Sequence, residues 1–216
     1  MSKNSVPYVS TNFLNRLPYY LKALKSLKAK NNQYVNSQEL SLMLGYNKEQ
    51  VKKDLQIVST DSGKPKVGRD INTLINDIDS FLGYNNTSDA VIVGIGHLGT
   101  AFMNYPGFKD WGLNILAGFD INPELIGTEI NGKPIFGMDR LLNLIPRLNA
   151  HIAILCVPSS AANEVASLLI KAGIKAIWNY AGEVINVDDD IIVENVNLAS
   201  SLAVLSHKLK NKLNKQ

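Results

Sequence analysis

The chain has 216 residues, 45% of them hydrophobic, with 22 Lys and Arg against 19 Asp and Glu for a formal net charge of +3. That length exceeds one typical domain and that apolar fraction supports buried cores, which excludes a disordered or fibrous chain. One cysteine, Cys156, excludes a disulfide framework or a cysteine-based zinc site; with no apolar run of the ~18–20 residues a membrane span needs and no leading signal segment, a cytoplasmic protein is expected.

The front of the chain is helical and basic. Residues 1–80 carry 12 Lys and Arg against 7 Asp and Glu, whereas the remainder is slightly acidic. Leu14, Leu17, Leu21, Leu24 and Leu27 recur at helical spacing, interrupted by Pro18, which either kinks the helix or marks its first turn. The outer face keeps Arg16, Lys22, Lys25, Lys28 and Lys30. Asn36-Ser-Gln-Glu39 then sets a cap three residues before an acid and opens a short helix that Gly45 stops. Asn47-Lys-Glu-Gln50 repeats the pattern, with Val51, Leu55 and Val58 turned inward. Two short helices joined by a glycine turn predict a helix-turn-helix, whose second helix offers Lys48, Gln50, Lys52, Lys53 and Gln56 to a DNA major groove. Residues 63–69 read as a basic wing, with Lys64, Lys66 and Arg69 suited to phosphate or minor-groove contact. The same lysines also read as a plain solvated face. Asp70 caps a further amphipathic helix through Leu82, and Gly83-Tyr-Asn-Asn-Thr-Ser88 is a polar linker.

Beyond the linker the pattern alternates as α/β. Asp89-Ala-Val-Ile-Val runs into Gly94-Ile-Gly96-His-Leu-Gly99 and then a helical segment, the opening of a dinucleotide-binding βαβ unit. Gly94 allows the tight turn, Gly96 lets the backbone approach a pyrophosphate, and Gly99 lets the new helix pack on the strand. Asp120 ends the next strand, where a carboxylate accepts ribose hydroxyls and repels a 2′-phosphate, favouring NAD(H) over NADP(H). Strands are expected at 89–93, 115–120, 134–136, 151–157, 176–178 and 191–194, and a helix at 161–172. Cys156 falls inside one of these strands, as an inert buried thiol. A terminal helix carries Leu198, Leu202, Leu205, Leu209 and Leu213 on one side. Its stripe packs either on its own sheet or on a second subunit.

Catalytic constellations are poor. A hydride-transferring dehydrogenase needs a tuned acid or base beside the nicotinamide. His97 lies in the phosphate loop, His151 at a strand start and His207 on the last helix, while Tyr105 and Tyr180 fit aromatic packing at a cofactor pocket. No catalytic residue and no metal site is therefore expected, and binding without turnover is the preferred reading. Two other readings stay open: a small NAD-dependent dehydrogenase, and a CoA- or nucleotide-binding regulator without DNA contact.

Several local motifs carry a family resemblance: Arg16-Leu17, Val51-Lys-Lys-Asp54-Leu55, Val91-Ile-Val-Gly94-Ile-Gly96-His-Leu-Gly99, Tyr105-Pro-Gly-Phe108, Phe119-Asp120, Ile126-Gly127, Cys156-Val157-Pro158, Gly173-Ile-Lys175 and Glu194-Asn-Val196. Together they resemble the Rex family of redox-sensing transcriptional repressors, nearly end to end. The resemblance implies an α/β chain: a winged-helix domain over 1–83, a Rossmann NAD(H)-binding domain over 84–196, and an exchanged dimerisation helix over 197–216. It implies a homodimer on double-stranded operator DNA that NADH releases. Expected cofactor contacts are Gly94, Ile95, Gly96, His97, Leu98 and Gly99 in the loop, Tyr105 near the nicotinamide, Asp120 with Ile121, Val157 with Pro158, and Asn179 with Tyr180. The switch is implied at Lys53, Tyr105 and Asn197.

The chain also departs from the family pattern. Gln56-Ile-Val-Ser59 stands where relatives usually have Ser-Tyr-Phe-Gly, and Lys66-Val-Gly-Arg69 where the wing usually reads Arg-Gly-x-Gly-Tyr. Asn197 replaces a usual aspartate and cannot pair ionically with Lys53. Asn179-Tyr-Ala-Gly182 replaces Asn-Phe-x-Pro, and His97 replaces a frequent asparagine.

Overall fold

The computed structural model describes residues 9–64, 67–85 and 88–214, with the backbone alone at Leu198. It divides into two compact units, Met1–Asn86 and Thr87–Gln216.

In the first unit, helix α1 (Thr11–Ala29) starts well before Pro18, so the proline is not in its first turn. Its buried face is Phe13, Leu17, Tyr20, Leu21, Ala23, Leu24 and Leu27, whereas Leu14, expected in the stripe, is 36% exposed. A short strand β1 (Tyr34–Val35) leads to α2 (Ser37–Leu44), capped by Asn36 and closed by left-handed Gly45. Helix α3 (Lys48–Val58) is capped by Asn47, whose side-chain oxygen accepts from the Glu49 N–H at 2.8 Å. Strand β2 (Arg69–Asp70) pairs antiparallel with β1, and α4 (Ile71–Leu82) begins under the Asp70 cap and ends at left-handed Gly83. Each start was legible because a short polar side chain satisfies an otherwise orphaned helix N–H. The helices enclose one apolar core, with Leu17, Leu24, Leu40, Leu55, Ile71, Leu74 and Ile78 at 0–1% exposure.

The second unit is a twisted, mostly parallel sheet with helices on both faces. Strand β3 (Ser88–Val93) passes into α5 (His97–Asn104), followed by a 3₁₀ segment (Pro106–Trp111) and β4 (Leu113–Asp120). A hairpin of β5 (Glu129–Ile130) and β6 (Lys133–Gly137) comes next, turning at Asn131 and Gly132, both with positive φ. Then follow α6 (Leu141–Leu148), β7 (Ile152–Leu155), α7 (Ala162–Lys171), β8 (Ala176–Asn179), β9 (Ile192–Asn195) and α8 (Leu198–Leu213). The sheet order is β5-β6-β4-β3-β7-β8-β9, with only the β5–β6 pair antiparallel. Strand direction of progress therefore reverses between β3 and β7. That switch point opens the crevice where dinucleotides bind in such sheets.

Alternate residues of the strands serve different cores. Val91 and Val93 face α6 and α7, while Ala90 and Ile92 face Ile95, Met103 and Phe108 on the α5 side. Burial on both faces explains the unbroken apolar runs. Two local expectations are corrected: β7 stops at Leu155, so Cys156 lies just beyond the strand, and His151 is exposed ahead of it. Helix α8 does not pack on its own sheet. Leu202, Val204, Leu205, Leu209 and Leu213 are 54–63% exposed. No described helix is long and apolar enough to cross a membrane.

Candidate functional site

The loop leaving β3 uses its three glycines for different reasons. Gly94 has φ +90°, and a Cβ there would lie 2.8 Å from the Cys156 main chain, so the turn closes against the end of β7 only with glycine. A Cβ on Gly99 would overlap the Gly94 carbonyl oxygen. Gly96 differs: a Cβ there would meet nothing within 4 Å. Gly96 is also the N-cap of α5 and gives it no side-chain cap. The first N–H groups of α5 thus point into open space, the arrangement that accepts phosphate oxygens. Asp120 pins this loop, its Oδ2 accepting the Ile95 N–H at 2.5 Å and its Oδ1 the Asn122 N–H at 2.8 Å. Each oxygen keeps further acceptor capacity for hydroxyl donors.

Two cavities flank the loop. One of about 510 Å³ is lined by Gly94, Gly96, Asp120, Ile121, Val157 and Pro158, together with Val93, Phe119, Met138, Cys156, Ala161 and Val165. The other, about 310 Å³, is lined by Leu98, Asn179, Tyr180 and Asn197 with residues 182–184, Asn195, Val196 and Ala199. Nine of the thirteen expected cofactor residues thus line one cavity or the other. The remaining four do not. Ile95 and Gly99 are packed into the fold, His97 is exposed on the first turn of α5, and Tyr105 is 44% exposed.

Tyr105 belongs to an aromatic cluster. Its ring meets Phe108 edge-on at 5.0 Å and Trp111 at 5.7 Å, and a Cβ on Gly107 would fall 2.6 Å from its ring, so the tyrosine folds back over that glycine. Phe102, Trp178 and Tyr180 continue the cluster, with Phe102 and Tyr180 at 4.9 Å. Desolvation pushes the Tyr180 hydroxyl up to about 12, and burial pushes the Cys156 thiol up to about 12. Asn179 is 2% exposed and clamps the strand ends: its amide donates to the Glu183 carbonyl and to Asn195 Oδ1, both at 2.7 Å. Asn197 caps α8, accepting the Ser200 N–H at 3.2 Å. Sequence reading missed Met138, Glu183 and Val184. Their only signal is three-dimensional, since they sit in connections after β6 and β8.

In the first unit a groove of about 680 Å³ lies between α3 and the wing, bounded by Lys48, Glu49, Lys52, Lys64, Gly68, Arg69 and residues 36–38. Gly68, with φ +107°, has no room for a Cβ against the Val35 carbonyl, so the wing strand lies directly on β1. Lys64 sits over the Tyr34 ring at 5.3 Å, and Arg69 Nε donates to the Asp61 carbonyl at 3.1 Å. Gln50, Lys53 and Gln56 are exposed on α3, whereas Lys66 falls outside the described residues. On the buried face of α3, Asp54 forms an ion pair with Arg16 at 2.6 Å. Burial opposes its charge, yet hydrogen bonds from Arg16, Tyr20 and Gln50 outweigh that and hold its carboxyl below the usual range.

Comparison with known proteins agrees with this geometry. Residues 8–56 match a family model described as "Putative DNA-binding protein N-terminus", and residues 85–182 one described as "CoA binding domain". The chain is 41% identical over 212 residues to the redox-sensing transcriptional repressor Rex of Treponema denticola, covering 98% of this chain and 100% of that one. It is 39% identical to the Rex of Bacteroides fragilis, covering 91% and 89%. The chain belongs to the Rex family. Among solved structures, the Rex-family repressor RSP in complex with β-NAD⁺ and operator DNA superposes with a TM-score of 0.88 at 35% identity, covering 96% of both chains. RSP has also been solved with β-NADH, at a TM-score of 0.84 and 36% identity over 96% and 97% of the two chains. The Rex relatives are named as transcriptional repressors, so this is a regulator and not an enzyme, and the dehydrogenase reading falls.

Proposed function

We propose that this Rex-family chain is a cytoplasmic repressor that binds operator DNA as a homodimer and releases it when NADH binds, reporting the NADH/NAD⁺ balance. The observation that carries the reading is the pairing, in one chain, of a glycine cradle left empty at Gly96 with a basic groove along α3. The loop N–H groups hold the pyrophosphate, Asp120 takes the ribose hydroxyls, and the apolar cavity of Phe119, Met138, Val157 and Pro158 takes the adenine end. The cavity beside Asn179 and Tyr180 takes the nicotinamide end, with Lys53, Tyr105 and Asn197 in the switch. Lys48, Gln50, Lys52, Lys53, Gln56, Lys64, Lys66 and Arg69 meet DNA. The domain limits proposed are 1–83, 84–196 and 197–216.

A CoA-binding regulator remains the second reading, since the second unit matches a CoA-binding family model. Asp120 favours the dinucleotide. Its carboxylate repels a phosphate on the adenosine ribose, which CoA and NADPH both carry. Electrophoretic mobility shift on DNA from upstream of its own gene tests the reading, with NADH, NAD⁺, NADPH and CoA as separate additions. Release by NADH alone is expected. Release by CoA, or no retarded complex with any ligand, would overturn it.

A further inference from the structure

The Asp54 carboxylate is 1% exposed and receives donors from three side chains. Arg16 gives Nε at 2.6 Å and Nη2 at 2.9 Å, Tyr20 its hydroxyl at 2.7 Å, and Gln50 its Nε2 at 2.8 Å. An ionised carboxylate accepts hydrogen bonds and donates none, so the group that Gln50 turns toward Asp54 must be the amide NH₂. Its carbonyl oxygen therefore points away. Gln50 itself is exposed in the first turn of α3, where Asn47 also receives its main-chain N–H at 3.4 Å. In a helix-turn-helix this is the part of the recognition helix that approaches base edges.

Gln50 is an exposed residue whose amide has a defined polarity. One hydrogen is held by Asp54, which leaves the oxygen and the second hydrogen. In the major groove adenine shows an amino donor beside an acceptor, guanine two acceptors, thymine an acceptor and a methyl, and cytosine a donor. An oxygen next to an N–H matches adenine at both atoms and sets oxygen against oxygen on guanine. A side chain tied down before DNA arrives also loses less rotamer freedom on binding.

We propose that Gln50 reads an adenine in each operator half-site, with its amide held in the adenine-matching orientation by Asp54. This rests on the DNA-binding function proposed above, and it adds a base to an operator that the motif pattern alone leaves open. The test uses the full chain saturated with NAD⁺ to select from duplexes with a randomised central segment. Kd is then measured for every single base-pair change in the selected sequence. One position per half-site is expected to demand adenine, with guanine there weakening binding about 5- to 150-fold. Gln50→Ala and Gln50→Met, both compatible with a helix, are expected to reduce that preference to within about twofold. Preferences at other positions and the salt dependence stay unchanged, because no phosphate contact is lost. Variants that melt like the wild type yet keep the adenine preference overturn the inference. A wild type that selects no sequence overturns the DNA-binding function itself, and this inference with it.

Discussion

Gly96 separates what the fold needs from what a ligand needs. Substitution at Gly94 or Gly99 would collide with main chain, but Gly96 sits at φ −73°, ψ −161°, ordinary backbone for any residue, with free space around its missing side chain. Gly96→Val is therefore expected to leave the melting temperature within a few degrees of wild type. In NADH titration, affinity should fall at least about tenfold, the branched side chain filling the phosphate position. Undiminished NADH binding would remove the loop from the site. Cys156 makes the complementary argument about redox sensing. Its burial-raised pKa of about 12 keeps the neutral thiol in place at physiological pH, and the thiolate is the reactive form. At pH 8, alkylation by iodoacetamide should run on the order of a thousandfold slower than for free cysteine. Saturating NADH should slow it further, because Cys156 lines the same cavity as Gly94 and Asp120. Labelling at the free-cysteine rate would point to a thiol sensor instead.

At the scale of elements, the Asp54 cluster decides how α3 sits on α1. Its folded pKa is lowered, so the stability it contributes is present above the unfolded carboxylate value of about 3.9 and is lost as pH falls through the folded value. Melting of the wild type should drop steeply below about pH 4. Asp54→Asn should lose roughly 3 kcal/mol at neutral pH by leaving Arg16 unpaired, and its melting should be flatter over that acid range. An acid limb identical in both proteins would assign the loss to other carboxylates. This cluster also marks where sequence reading stops. Caps at Asn36, Asn47 and Asp70 are legible because partner and cap lie two or three residues apart. Tyr20 and Asp54 are 34 residues apart, and nothing local announces that α1 buries Phe13 and Tyr20 while leaving Leu14 half out. The same holds at the site. The glycine loop and Asp120 follow from pattern, whereas β5, with two residues and no periodicity, and the cavity wall at Met138 and Val184 depend on how distant connections fold back.

For the whole molecule, the unanswered surface is α8. It is a 16-residue helix whose Leu202, Val204, Leu205, Leu209 and Leu213 are all more than half exposed. An isolated helix of that length is marginal in water, so this one needs a covering partner. We propose that the partner is a second copy of the chain, which also answers a requirement of the switch: a ligand with equal affinity for two states shifts neither. In a twofold dimer, two recognition helices engage half-sites about one helical turn (~34 Å) apart only at one spacing, so a modest rotation between subunits disengages one of them. Losing the second half-site removes the effective-concentration gain, about 10²- to 10⁴-fold in affinity. Removal of residues 198–216 should therefore give a monomer by light scattering, with operator affinity down by that factor. NADH binding should persist, because the glycine loop and Asp120 precede the cut, but weaken, because Ala199 lines the second cavity. A truncated protein that stays dimeric and still releases DNA on NADH addition would place both the interface and the hinge elsewhere than α8.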